Sequence, residues 1–154
     1  MMKELGVEDE HLVSEVSKLW EYSCDQVQLF PETLEALSAL RAAGFKTALI
    51  TNTSRYGWEA IDRKFSLSSC FDHLALSFER KLVKPEPAIF EFIESKTGLV
   101  GDAVTMVGDS YTNDFLAPRQ RGWNSILLDR AQSNEHSDAR PVIKNLLEIK
   151  TLLS

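Results

Sequence analysis

The sequence predicts an α/β protein, a doubly wound parallel sheet in a single domain of 154 residues. Two features carry that expectation. Short apolar runs of strand length recur without polar alternation, as expected of strands buried on both faces. Between them lie segments whose apolar residues repeat every three or four positions, the pattern of helices packed by one stripe. Strands alternating with helices in this way build a parallel sheet covered on both sides.

Each element follows from local signals. Residues 8–23 (EDEHLVSEVSKLWEYS) align Leu12, Val16, Leu19 and Trp20 along one helical stripe. A second helix opens at Pro31, a residue suited to the first helical position, and repeats Leu34, Leu37 and Leu40 up to Gly44. Phe45 to Thr51 (FKTALIT) reads as a buried strand. Ser54 stands where it would cap a helix holding Trp58, Ile61 and Phe65. His73 to Ser77 is a further strand, and Pro87 to Thr97 (PAIFEFIESKT) a helix stopped by Gly98.

Residues 103–107 (AVTMV) give the strongest strand pattern in the chain. Tyr111 to Arg121 is helical in composition. A break is expected at Pro118, because proline inside a helix costs about 3 kcal/mol. Ser125 to Leu128 (SILL) is a strand, and residues 130–139 (RAQSNEHSDA) are a polar surface loop. Pro141 to Leu153 closes the chain as a helix aligning Val142, Leu146, Ile149 and Leu153.

The net charge of −6 argues against nucleic acid or an anionic membrane as partner and suits carboxylates gathered around a divalent cation. The two cysteines, Cys24 and Cys70, have no metal-ligand spacing and read as reduced thiols. No apolar run approaches the roughly 18 residues of a membrane span, and the first residues lack signal-peptide form, so the expected location is cytoplasmic. Trp20, Trp58 and Trp123 read as core, and His11, His73 and His136 form no ligand set.

Chemistry gathers at three strand ends and loops, where open parallel sheets bind ligands. Thr51 and Asn52 follow the ALI run. Lys84-Pro85 precedes a helix, and GDSYTND follows the AVTMV run with Asp109, Ser110, Asn113 and Asp114. Gly108 lets the backbone turn sharply off the strand, so that Asp109 points into the crevice. Asp114 faces the same crevice from the next helix. Two carboxylates with amide and hydroxyl oxygens between them make a hard, oxygen-only site suited to Mg²⁺. Thr51 offers a hydroxyl and a strand-end amide to a phosphate oxygen. Lys84 is a point charge able to balance both phosphate and carboxylate.

This set, in this order, resembles the haloacid dehalogenase superfamily over nearly the whole chain. LFPETLEALSALRAAGFKTALITNTS is similar to the stretch leading into the family's second motif, ending at Thr51. FDHLALSFERKLVKPEPAIFEFI resembles the segment carrying the motif lysine, here Lys84. VTMVGDSYTNDFLAPRQRGWNSILLD resembles the acidic fourth motif, here Asp109 and Asp114. The resemblance implies a Rossmann-like sheet, with Thr51, Asn52 and Lys84 binding phosphate. It also implies catalytic parts for Lys84 and Thr51, with Asp109 as a Mg²⁺ ligand and Asp114 as a second ligand or as the acid standing behind it. Dehalogenases of the superfamily generally work without Mg²⁺ and lack the paired acids, which favours the phosphatase branch and a small phosphorylated metabolite as substrate.

Members of that family begin with a central strand ending in D-x-D-x-T, whose first aspartate attacks phosphorus. No such motif is found here. Asp25, in SCDQVQLF, has no second acid two residues on and follows a helical stretch. Residues 1–30 instead resemble the last part of a helical cap, with residues 31–154 the core domain. The expected chain is therefore a truncated phosphatase lacking its first central strand, binding Mg²⁺ weakly or not at all and inactive on its own. The alternative is a non-catalytic binding or regulatory module on the same fold. Without that strand, the strands ending at Thr51 and Val107 are expected to pair directly or to leave a groove that a partner fills, which favours self-association.

Overall fold

The computed structural model describes residues 10–133, 136 and 138–153. The chain runs through α1 (Glu10–Gln26), α2 (Thr33–Ala42), β1 (Ala48–Thr51), α3 (Arg55–Phe65), β2 (His73–Leu76), α4 (Ser77–Arg80) and α5 (Pro87–Thr97). It continues through β3 (Thr105–Gly108), a π-helical turn (Tyr111–Leu116), α6 (Ala117–Gln120), β4 (Asn124–Leu128), β5 (Val142–Ile143) and α7 (Ile149–Leu152). All strand pairings are parallel, in register Ala48 with His73, Thr105 with Asn124, and Leu127 with Val142. Among the described residues no helix is long and apolar enough to cross a membrane.

The expected α/β architecture is present, but the sheet comes in two pieces. One holds β1 and β2, the other β3, β4 and β5. Of the two expected outcomes, direct pairing of the strands ending at Thr51 and Val107 does not occur: β1 and β3 each keep an unpaired edge among the described residues. One helix joins the pieces. Ile89, Phe90 and Ile93 of α5 are 0%, 0% and 3% exposed, and share a cluster with Ile50 of β1, Ala75 of β2 and Trp123 before β4, with Met106 of β3 packed against it. The other face of the second piece is closed by Ile126, Ile143 and Ile149, against which Leu40 and Val107 pack. Met106 and Val107 thus serve opposite faces, as the two-residue period of a strand requires.

Several elements stand where local chemistry puts them. The Ser54 hydroxyl accepts the Gly57 amide at 3.1 Å and opens α3. Gly98 ends α5 in the left-handed conformation, at φ +71°, which only glycine adopts without strain. Trp58 and Trp123 are buried, as expected of core residues, but Trp20 on α1 is 44% exposed, with Leu12 and Leu19 also open.

Other boundaries are corrected. The helix expected from Pro31 begins at Thr33, behind a turn at Pro31-Glu32. The strand expected from Phe45 begins at Ala48; at Thr47, just before it, the amide donates to the Asp72 carboxylate while the carbonyl accepts the Asp72 and His73 amides. The closing helix expected over Pro141–Leu153 is not continuous. Val142-Ile143 adds a parallel strand to β4, and Asn145 and Glu148 close a reciprocal cap that starts a fresh turn. At Pro118 the expected break takes the form of a change of helical pitch. The Ala117 amide bonds five residues back to Thr112, and the wider turn delivers Pro118 into the first turn of α6.

Candidate functional site

The C-terminal ends of β1 and β3 carry Thr51-Asn52 and Gly108-Asp109, and the loop after α4 carries Lys84. Asp114 sits in the first turn of the π-helical segment, which Ser110 caps by accepting the Asn113 amide at 3.3 Å. The wide turn points the Asp114 carboxylate back over the strand end. It accepts the Ser110 amide at 3.2 Å through Oδ2.

Lys84 completes this carboxylate from the other half of the molecule. Its ammonium donates to Asp114 Oδ1 at 2.6 Å, with the side chains only 11% and 5% exposed. In such surroundings an ion pair is strong but also obligatory, since neither charge has water to fall back on. The close approach depends on Gly108. A Cβ there would lie 2.4 Å from Asp114 Oδ2, a distance that real Cβ atoms do not show.

Asn52 reaches Lys84 from the end of β1. Its Oδ1 accepts the Lys84 amide at 2.8 Å and its Nδ2 donates to the Lys84 carbonyl at 2.9 Å. A second pair of bonds ties the residue after Asn52 to the start of α4. The Ser77 hydroxyl accepts the Thr53 amide and donates to the Thr53 carbonyl, both at 2.9 Å.

The residues singled out from sequence therefore fall into two groups. Asn52, Lys84, Asp114 and Ser110 form one hydrogen-bonded chain across the two sheet pieces. Thr51 and Asp109 stand beside it at the strand ends. Thr51 is half-buried and Asp109 exposed. The side chain of Asp25 lies outside the described residues, as do residues 1–9 of the segment read as a cap remnant. Among the described residues no group of three or more His, Cys, Asp or Glu side chains is placed to hold a metal. Sequence reasoning missed Ser77 and the space requirement at Gly108. A serine just past β2 is too common a signal to single out, but the glycine before an acid at a strand end was visible.

Comparisons with known proteins point one way. A family model described as haloacid dehalogenase-like hydrolase matches residues 3–122. The chain is 29% identical to "Haloacid dehalogenase-like hydrolase domain-containing protein 3" of Danio rerio, over 96% of this chain and 63% of that protein. It is also 29% identical to a phosphoglycolate phosphatase of Mannheimia succiniciproducens, over 68% of this chain and 46% of that one. The chain thus spans about half to two-thirds of the length of these relatives.

Among solved structures, a HAD phosphatase from Thermococcus onnurineus superposes with a TM-score of 0.81 at 24% identity, over 99% of this chain and 68% of that one. A 2-haloacid dehalogenase from Pseudomonas syringae pv. Tomato superposes at 0.75 with 24% identity, over 94% and 61%. Relatives of both chemistries thus share this fold, and the model match over most of the chain assigns it to the haloacid dehalogenase-like hydrolase family.

Proposed function

We propose that the site is the phosphate-binding half of a Mg²⁺-dependent phosphomonoester phosphatase. The observation that carries this reading is the Lys84 ammonium pinned at 2.6 Å on a buried Asp114, beside the strand ends of Thr51 and Asp109. A fixed positive charge at the C-terminal edge of parallel strands suits a phosphate monoanion or dianion. Phosphatases among the relatives support the same branch, and the paired acids favour it over dehalogenation. The substrate class this supports is a small phosphorylated metabolite.

The residues fit Mg²⁺ in a limited way. This ion keeps several waters and is commonly held by one or two carboxylates together with substrate phosphate. The exposed Asp109 carboxylate makes no protein hydrogen bond among the described residues and is the open ligand. Asp114 is engaged through both oxygens, by Lys84 and the Ser110 amide, and stands behind it. When bound, the ion would polarise a phosphoryl oxygen and offset its charge. The chain's own parts are then to take a phosphate oxygen on Thr51, to balance charge with Lys84, and to hold Lys84 through Asn52.

Attack on phosphorus needs a carboxylate that none of these residues supplies, so these 154 residues alone do not turn substrate over. Residues 1–30 are read as cap remnant and 31–154 as core. The test is the purified chain with p-nitrophenyl phosphate and, separately, with orthophosphate, each with and without Mg²⁺. No hydrolysis is expected, while orthophosphate with Mg²⁺ raises the melting midpoint of the parent and not of Lys84→Met. Metal-dependent hydrolysis abolished by Asp109→Ala overturns the inactivity, and the absence of any phosphate effect overturns the phosphatase reading. Phosphate binding without metal dependence would favour a binding module.

A further inference from the structure

We infer that Asn52 is a positioning residue for Lys84, and that its two side-chain-to-backbone bonds lock the root of the lysine to the end of β1. The inference rests on the phosphate-site reading above but is tested apart from it. Lysine has among the largest rotamer freedom of any side chain, so a lysine on a loop is a poorly aimed charge unless something fixes its root. Here both ends are held. The tip is fixed by Asp114 at 2.6 Å, and the root by Asn52, which takes the Lys84 amide and carbonyl at 2.8 and 2.9 Å.

The chemistry selects asparagine for this. Its side chain presents one acceptor and two donors in a plane, so it can answer both backbone groups of a single residue. With both polar ends occupied in this way, the side chain is committed to Lys84. That recasts Asn52, read from the sequence as a phosphate contact, as the support for one. Ser77 makes the corresponding pair to Thr53, the residue after Asn52. This second pair ties the end of β1 to the start of α4, seven residues before Lys84. Thr51, one residue before Asn52, and the Lys84 ammonium therefore keep a fixed offset, which is the requirement for a shared anion.

The test is ¹⁵N NMR on the full chain, reading the Lys84 amide exchange rate and the Lys84 ammonium cross-peak, which is visible only while the ammonium is held from solvent. In Asn52→Ala the Lys84 amide should exchange about tenfold faster, the effect expected when one or two ordinary hydrogen bonds are lost. Its ammonium peak should broaden away although Asp114 is untouched. Asn52→Asp keeps the acceptor for the Lys84 amide and should restore that amide's protection. Retention of the ammonium peak in Asn52→Ala overturns the proposal, since the tip would then be placed without the root. Should Asn52→Ala fail to fold, Asn52→Asp decides alone: an unprotected Lys84 amide overturns the proposal. Orthophosphate added to the parent separates the two readings, because an unmoved Lys84 ammonium peak counts against the phosphate site and leaves the lock as measured.

Discussion

Asp114 lies directly over Gly108, six residues before it, so that a methyl group on Gly108 would meet the carboxylate at 2.4 Å and Asp114 Cβ at 2.6 Å. The acid at the site and the last residue of β3 occupy almost the same space, and only the absence of a side chain permits it. Gly108 carries no positive φ, so room and not backbone conformation is what it supplies. Gly108→Ala should push Asp114 off Lys84 and destabilise the chain by about 2 kcal/mol, as overpacking does. Urea denaturation, compared with Gly98→Ala as a conformational control, checks it; an unchanged midpoint would refute the close approach.

Lys84 and Asp114 should behave as a coupled pair. Lys84→Met leaves a buried carboxylate without its counter-charge and should cost about 3 kcal/mol, because the surviving ion cannot be hydrated. Lys84→Met combined with Asp114→Asn should recover most of that loss, since the amide oxygen still accepts the Ser110 amide. Additive losses in a double-mutant cycle would count against the pairing.

Acid stability should carry a mark of Glu94. Burial pushes this carboxyl up, but hydrogen bonds from Arg121 at 2.7 Å and Trp123 at 2.8 Å outweigh it and hold it below its ordinary value. A lowered folded-state value gives stability that is fully present above the unfolded glutamate value. That stability is lost as pH falls through the folded one. Glu94→Gln should therefore be less stable than the parent near neutrality and lose less on acidification. Parallel pH curves for parent and variant would contradict it.

Ser125 offers a gain. It is 1% exposed at the second position of β4, and its hydroxyl has no hydrogen-bond partner among the described residues. Ser125→Ala removes a buried polar atom at the cost of little volume and should stabilise by about 1 kcal/mol, read as a higher denaturation midpoint.

What the sequence revealed and what it hid divide along the range of the interactions. Ser54, Pro87 and Gly98 mark helix ends through contacts within a few residues, and each stands where expected. Lys84 and Asp114 could each be singled out because both belong at the ligand edge of a parallel sheet, although their ion pair could not be read. Pairing across distance left no such mark. Val142, Leu146 and Ile149 have helical spacing, yet Val142-Ile143 gains more from a ladder to Leu127 and Leu128. The missing central strand made a divided sheet one of two expected outcomes, but the strand runs look alike whether or not they meet and could not choose between them. The grip of Asn52 on Lys84 joins two backbone groups, which carry no residue identity to read.

The gap between β1 and β3 gives α5 an unusual duty. In a continuous sheet, backbone bonds fix the spacing of neighbouring strands at about 4.8 Å whatever the side chains do. Here that spacing is left to Ile89, Phe90 and Ile93, wedged like a keel between two hulls, with the Lys84–Asp114 contact as the rivet above. The width of the crevice mouth is therefore written in side-chain volume, and trimming Phe90 should narrow or widen it from well below the chemistry.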